Sequence, residues 1–441
     1  MPAAFQAEFL LRRLQQQPPA PHYLLALSGG LDSVVLLHAF AQICHDPFFK
    51  SANLQVIHVH HGLQSEADLW AQGCQNRCET LAMPCVIERV NAQPQGKEGV
   101  EAAAREARYR VFAQHLQAGG LLLTAHHQDD QAETLLLRLL RGSGLSGLAA
   151  MAECRTFAQG HLVRPLLTYS RAAVLAYAQR HSLSWWEDPS NQSLDYDRNY
   201  LRHQIMPRLS ERWLGAVKTL ARATERVAES NALLQEVAVE DLAKLQHNSS
   251  YGKESLPVVA LHQLSLPRLN NLLRYWLAQL NLPTPSHAQL QRVSAELLVA
   301  AQDRQPLVHW PGVELRRFDG RIYAMPPLQK WDASRRYPWD LQHPLSIEGL
   351  PEPLQPELLR ELGLVLPRGV SVTVAFRQGG EVLRLAGRGV SKPLKKWFQE
   401  AKIPPWQRER LPLIYFEDQL VAVMISMESM LSCDYDCFFQ R

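Results

Sequence analysis

Short apolar runs alternate with longer amphipathic stretches through the first 150 residues. HYLLAL at 22–27 reads as a strand, and SVVLLHAFAQ at 33–42 as the helix that follows it. LQVIHVHH at 54–61, PCVIERV at 84–90 and GLLLTAHH at 120–127 are further strand candidates. Helical patterns fill 66–82, 100–117 and 128–141 between and after them. Strands that alternate with helices of this length predict βαβ units, and therefore a buried parallel sheet with right-handed crossovers.

Beyond about residue 165 the pattern changes. RAAVLAYAQRHS at 171–182 is helical, WWEDPSNQSLDYDRN at 185–199 is polar and loop-like, and a helical stretch runs from Tyr200 past Leu245 with a bend expected near Pro207. The segments 266–280 and 286–301 extend a mainly helical middle. Seven prolines between Pro326 and Pro356 exclude regular elements there and mark a linker or an irregular domain edge. The tail returns to strands (GVSVTVAF, EVLRLA, PLIYF, LVAVMIS) around one short helix near KPLKKWFQEA. The expected class is α/β: a Rossmann-like parallel sheet domain over 1–215, a helical domain over 216–330 and a small α+β domain over 331–441.

Composition adds bounds. The chain has 441 residues, 46 basic and 43 acidic, with 46% hydrophobic and 20% charged residues, as in ordinary multidomain globular proteins. This excludes wholesale disorder and fibrous repeats. No apolar run approaches a membrane span. Glu8, Arg12 and Arg13 interrupt the N-terminal segment where a signal peptide would be apolar, so a cytoplasmic location is expected. The seven cysteines, at 44, 74, 78, 85, 154, 433 and 437, lack a C-x₂-C pair and read as small buried hydrophobes rather than zinc ligands.

Two motifs carry chemistry. Ser28-Gly29-Gly30-Leu31-Asp32-Ser33 lies between a strand and a helix, where backbone amides and a helix N-terminus form an anion site. The glycines let phosphate oxygens approach, the two serines add hydroxyl donors, and Asp32 suits a Mg²⁺ bridging to a polyphosphate. No Walker lysine follows, which disfavours P-loop kinases and GTPases. In the second motif, AHHQDDQAET at 125–134, helical spacing would place His126, Asp130, Glu133 and Thr134 on one face at a strand's carboxyl end. Such polar groups suit a metal or a substrate amine. Gly142 to Gly147 fits G-x-G-x-x-G, but a helix precedes it instead of a strand, so Gly142 reads as a helix C′ residue.

SGGLDS after a strand resembles the PP-loop of the N-type ATP pyrophosphatases. HHGL (60–63), AREARY (104–109), AHHQDDQAET, RLLRGSGLSGL and EDPSNQ…YDRNYLRHQIMP narrow the resemblance to the tRNA(Ile)-lysidine synthetase family, and LRLAGRG…KPLKKWFQEAKIPPWQRERLPLIY resembles that family's C-terminal module. The family adenylates C2–O of the wobble cytidine in a CAU-anticodon isoleucine tRNA and then displaces AMP with the ε-amine of free lysine, changing codon specificity from AUG to AUA. The resemblance implies a cytoplasmic ligase using ATP and Mg²⁺, with no membrane partner, and allows a homodimer. Ser28, Gly29, Gly30, Leu31 and Ser33 would hold the diphosphate, and Asp32 the metal. Arg105 and Arg108 would meet the nucleotide, or else a neighbour such as Glu101. Asp130 and Glu133 would bind the lysine ammonium, one of them or His126 would take its proton, and Arg198 and Arg202 would reach phosphates. The glycines after Gly142 would line the mouth of the site.

The net charge of +3 conceals two basic windows. Residues 198–226 carry seven basic against two acidic side chains, and 377–410 carry nine against three. Both suit RNA phosphates. Trp397 and Trp406, inside the second window, read more readily as core than as stacking platforms. A PP-loop tRNA thiolase is the closest alternative, but no cysteine neighbours either motif. An amidating synthetase would have no use for a basic tail. A non-catalytic RNA-binding protein would not need Asp32, Asp130 and Glu133.

Overall fold

The computed structural model describes residues 5–17, 19–62, 66–90, 100–246, 254–300, 304, 306–350, 352–357, 370–384, 391–426 and 429–432. Arg388, Cys433 and Cys437 lie outside the described residues. The chain forms two compact units, Met1–Leu234 and Gln235–Arg441.

The first unit is built on a six-stranded sheet. In chain order its strands are β1 (His22–Ala26), β2 (Asn53–His60), β3 (Cys85–Arg89), β4 (Leu121–Leu123), β5 (Cys154–Phe157) and β6 (Gly160–Val163). Their spatial order is β3-β2-β1-β4-β6-β5, all parallel except β5, which pairs antiparallel at the edge. Successive side chains alternate across the sheet. Tyr23 and Leu25 of β1 therefore join the cluster containing helices α1 (Ala7–Gln15), α2 (Leu31–Ile43), α3 (Ala67–Thr80) and α7 (Arg171–Arg180). Leu24 points the other way, to Val111 and Phe112 of α4 (Val100–His115). A sheet apolar on both faces is what a doubly wound domain requires, and each fully buried leucine or valine contributes roughly 1.5–3 kcal/mol. Cys74 and Cys78 are buried in the first cluster as small hydrophobes.

After β4 come α5 (Gln128–Leu140) and a short α6 (Leu145–Leu148). Gly142 ends α5 at φ +67°. The Ser143 amide reaches back to the Arg138 carbonyl (2.9 Å) and the Gly142 amide to that of Leu139 (3.0 Å), a Schellman closure.

The bend expected near Pro207 lies elsewhere. From α8 (Asp197–Tyr200) the chain passes through a π-helical turn, Leu201–Ile205, straight into α9 (Met206–Arg212). Pro207 cannot donate to the carbonyl four residues back, and the wider turn accommodates that loss without ending the helix. The break comes at 213–215, where Trp213 is extended and Gly215 takes φ +86°, before the long α10 (Ala216–Gln246).

In the second unit the helices α11 (Leu266–Gln279) and α12 (His287–Arg292) pack on an antiparallel sheet that the helical reading did not resolve. Its strands, β7 (Ser255–Pro257), β8 (Leu307–Trp310), β9 (Val313–Phe318) and β10 (Arg321–Met325), are joined from β8 onward by tight turns at Gly312 and Gly320, both at positive φ. Val313, Leu315, Ile322 and Ala324 alternate inward onto Trp276 and Leu273. The proline-rich stretch does contain one strand, β11 (Tyr337–Trp339), which tolerates Pro338 because it sits at the edge of the next sheet. That sheet continues with β12 (Val372–Ala375) and the tail strands Leu413–Phe416, Gln419–Ser426 and Ser429–Ser432. Among the described residues no helix is long and apolar enough to cross a membrane.

Candidate functional site

In the sheet order the chain leaves β1 toward β2 on one side, while β4 lies on the other. The crevice at that reversal is where open α/β sheets bind ligands. The segments following β1 and β4 are the two motifs singled out from sequence. They border one cavity of about 910 Å³, whose walls include Ser28, Asp32, Ser33, Arg105, Arg108, His126, Asp130, Arg198 and Arg202.

The loop after β1 is tight. Ser33 Oγ accepts hydrogen bonds from the amides of Ser28 (3.1 Å) and Gly29 (3.2 Å) and donates to the Gly30 carbonyl (2.9 Å). Gly29 sits at φ +86°, a conformation that favours glycine. A Cβ there would meet Cys74 Sγ and the Trp186 ring at 3.2 Å each. Gly30 is the N-cap of α2, so the amides of the first turn face the crevice. Trp186, from the polar 185–199 segment, donates its amide to the Gly29 carbonyl (3.1 Å) and lays its ring against Gly73, where a Cβ would lie 2.0 Å from the indole.

Asp32 is in the first turn of α2. Its Oδ2 lies 3.5 Å from Nε2 of His127, and its Oδ1 is buried without a hydrogen-bond partner. A hard-oxygen donor left in this state beside an anion-binding loop fits a Mg²⁺ ligand.

His127 was not picked out from sequence. It caps α5 from outside the helix, so helical spacing does not count it, yet it joins the two motifs. Burial alone would lower its pKa, but the carboxylates of Asp130, Asp32 and Asp129 overrule that and raise it to about 9. The imidazolium directs Nε2–H at Asp32 and Nδ1–H at Asp130 Oδ2 (3.4 Å). Nδ1 is also 3.4 Å from the Asp130 amide, a contact only a neutral ring could accept. Three surrounding carboxylates favour the charged form.

The acid pair is fully engaged. Asp130 Oδ2 accepts from the His127 amide (2.9 Å), and Oδ1 takes Nη2 of both Arg198 (2.7 Å) and Arg202 (3.0 Å). Glu133 takes Arg198 Nε on Oε2 (2.9 Å), Arg202 Nε on Oε1 (2.7 Å) and Arg202 Nη2 on Oε2 (2.9 Å). Burial would raise the pKa of Asp130, but His127 and Arg198 override it and hold the carboxyl well below its ordinary range. Desolvation would lower the arginines, and the two carboxylates raise them instead.

His126 precedes α5 rather than sharing its face with Asp130 and Glu133. Its Nδ1 is 3.0 Å from Thr124 Oγ1. Burial, with Arg164, Arg198 and Arg105 nearby, outweighs Asp130 and pushes its pKa to about 3. The ring is neutral and a weak proton acceptor. Arg105 packs over Tyr109 (4.8 Å to the ring centre) and donates to its hydroxyl (3.3 Å). No residue of 142–147 walls the cavity, because Gly142 turns the chain away into α6.

The basic windows divide. In 198–226 the first two arginines serve the acid pair, while Arg208, Arg212, Lys218 and Arg222 are exposed, as is Trp213 (59%) within the same stretch of sequence. In the tail Trp397 is core and donates Nε1–H to the Leu383 carbonyl (3.1 Å), and Trp406 packs against Phe318 and Tyr323.

Comparison with known proteins agrees with the sequence motifs. Residues 4–209 match the PP-loop domain family, 256–323 the TilS substrate binding domain and 372–426 the TilS substrate C-terminal domain. The tRNA(Ile)-lysidine synthase of Alkalilimnicola ehrlichii is 43% identical over 426 residues, 94% of this chain and 92% of that protein. The tRNA(Ile)-lysidine synthase of Pseudomonas aeruginosa is 44% identical over 432 residues, 96% of this chain and 94% of that protein. Among solved structures, the U34-tRNA thiolase NcsA from Methanococcus maripaludis aligns with 50% of this chain and 78% of its own at 18% identity and a TM-score of 0.42, too loose a likeness to bear on function. With a PP-loop crevice at its centre and this likeness along nearly its whole length, the chain belongs to the tRNA(Ile)-lysidine synthase family.

Proposed function

We infer that this chain is an ATP-dependent ligase that joins lysine to C2 of the wobble cytidine in a CAU-anticodon isoleucine tRNA, releasing AMP and diphosphate and working in the cytoplasm. The observation carrying this reading is the cavity that brings the SGGLDS loop together with Asp130, Arg198 and Arg202 in a chain of this family.

In the first step the C2 oxygen attacks the α-phosphorus of ATP and diphosphate leaves. The loop amides, Ser28 and Ser33 would bind the departing phosphates, and Arg105 and Arg108 the nucleotide. Asp32, with its orphaned buried oxygen, would hold Mg²⁺, which supplies charge neutralisation at the phosphates. In the second step the lysine amine attacks C2, and AMP leaves with the former C2 oxygen. The ammonium must lose a proton first. Asp130, which lines the cavity, and Glu133, which shares its arginine partners, would bind it, and one of these carboxylates or His126 would take the proton.

The tRNA would follow the basic surfaces. Arg208, Arg212, Lys218 and Arg222 offer phosphate contacts and Trp213, in the same stretch, an exposed ring for a base, and Lys395 and Lys396 offer a second patch. The division into a catalytic domain over 1–215, a middle domain over 216–330 whose helices pack on the four-stranded sheet, and a C-terminal domain over 331–441 is part of this reading, which also allows a homodimer.

The test is transfer of labelled lysine, with ATP and Mg²⁺, to isoleucine versus methionine tRNAs that both carry CAU anticodons. Incorporation confined to the isoleucine tRNA supports the reading. Sulfur incorporation from a cysteine-derived donor, with no lysine transfer, would replace it with the thiolase alternative.

A further inference from the structure

The groups suited to receive a substrate ammonium already hold cations. Oδ1 of Asp130 and both carboxylate oxygens of Glu133 are bonded to Arg198 and Arg202 at 2.7–3.0 Å, and Oδ2 of Asp130 is bonded to the His127 amide. An ammonium arriving here would find its carboxylates neutralised and two guanidiniums as neighbours. Like charges at that range repel, so the site is closed to lysine while both arginines stay.

The arginines, unlike the acids, have somewhere to go. Asp130 and Glu133 are fixed on the first turns of α5 and are buried, whereas the arginine side chains keep about a quarter of their surface exposed, 27% each. Both line the cavity that the Ser28–Ser33 loop also lines. A nucleotide bound there would offer several phosphate oxygens, the preferred partners of a guanidinium fork.

We propose that Arg198 and Arg202 act as a latch on the amine site: they rest on Asp130 and Glu133, move to phosphate oxygens when the nucleotide binds, and so admit lysine only to the nucleotide-loaded enzyme. They are positioning residues for the second step as well as phosphate ligands for the first. The latch rests on the ligase reading and adds an order to it. It also places a coupling free energy between two substrates that never exchange atoms directly. By linkage, lysine must tighten nucleotide binding by the same factor.

The experiment is equilibrium binding of labelled lysine to the full chain, alone and with α,β-methylene-ATP and Mg²⁺. Wild type is expected to bind lysine about tenfold or more tightly with the analogue, within the usual span of allosteric couplings. Arg198→Ala, and separately Arg202→Gln to keep hydrogen bonding without charge, should bind lysine more tightly than wild type in the absence of nucleotide, with the coupling reduced toward one. A thermal midpoint measured on each variant shows that it is folded. Equal lysine affinity with and without the analogue in wild type overturns the latch while leaving lysine transfer intact. So does a coupling that both variants retain in full. Failure of lysine to bind under any condition, with analogue and isoleucine tRNA both present, overturns the latch and the ligase reading together.

Discussion

The two strand-end segments that make the cavity are held in opposite ways. The SGGLDS loop closes on itself through neutral hydrogen bonds from one short stretch of sequence, with Ser33 Oγ as the hub. The segment after β4 is held by charge, and its partners Arg198 and Arg202 lie 65–72 positions away. A loop closed by weak bonds can open its amides to phosphates at small cost, each such bond being worth about 0.5–1.5 kcal/mol. An acid pair closed by buried ion pairs cannot release its partners without a substitute anion. The phosphate half is therefore ready, and the amine half is conditional.

The largest effect separating the halves is expected at Asp32. Asp32→Ala removes the one acidic group in the phosphate loop and should lower both diphosphate release and lysine transfer by about 10³-fold. Near-normal turnover by this variant would sink the metal role. Glu133→Ala acts on the conditional half alone. Lysine transfer should fall by about 10²-fold, with diphosphate release reduced much less, because both arginines stay free to meet phosphates. Equal loss of the two half-reactions would show that the halves are not separate.

The same contrast decided what was legible in the sequence. The first unit's sheet, its helices and SGGLDS could be read because each is local: a run, a period or a turn. The strands from Leu307 to Met325 were missed because four- to six-residue hairpin strands such as LVHW and VELRRF carry little periodicity between long helices. Among the site residues, Asp130 and Glu133 stood out by helical spacing, but their bonding to Arg198 and Arg202 did not, since it depends on where the 197–205 helix returns. His127 was hidden as a cap, and Trp186 sat in a loop without a pattern. The signal that could have found His127 is its place three residues before Asp130, the spacing of a capping box.

His127 spans both halves, and pH tests it. Its pKa is raised from 6.5 to about 9 by folding, so the stability it contributes is fully present below about pH 6.5 and is lost as pH rises through 9. The loss should approach roughly 3 kcal/mol in the chelated protein. His127→Asn should flatten the decline in thermal midpoint between pH 7 and 9.5, and an unchanged decline would remove the imidazolium from the account. A smaller effect is expected at Gly73. An alanine Cβ there would fall 2.0 Å from the Trp186 ring, which must shift and pull on the Gly29 carbonyl. Gly73→Ala should cost about 1–3 kcal/mol of stability and raise KM for ATP more than KM for lysine. Equal changes in the two would separate Trp186 from the phosphate loop.

The smallest effect is expected in the second unit, where charge acts without burial. In the tail, Arg377 pairs with Glu381, Lys392 with Glu400 and Lys402 with Asp319, while Arg408 and Arg410 donate to the carbonyls of Ile403 and Gln329. Most of that basic run is thus consumed within its own unit. Lys395 and Lys396 are exposed and make no ion pair among the described residues. If the tail meets tRNA phosphates, these two carry much of the attraction, and replacing both with alanine should weaken tRNA binding a few-fold at low salt. The slope of log affinity against log salt should flatten by roughly 1 to 2, one counterion for each lost contact. Lysine transfer at saturating tRNA should be unchanged, because neither residue belongs to the unit that holds the cavity. An unaltered slope would move the tail's contribution away from phosphate contact and leave the exposed cations from Arg208 to Arg222 as the main basic surface for RNA.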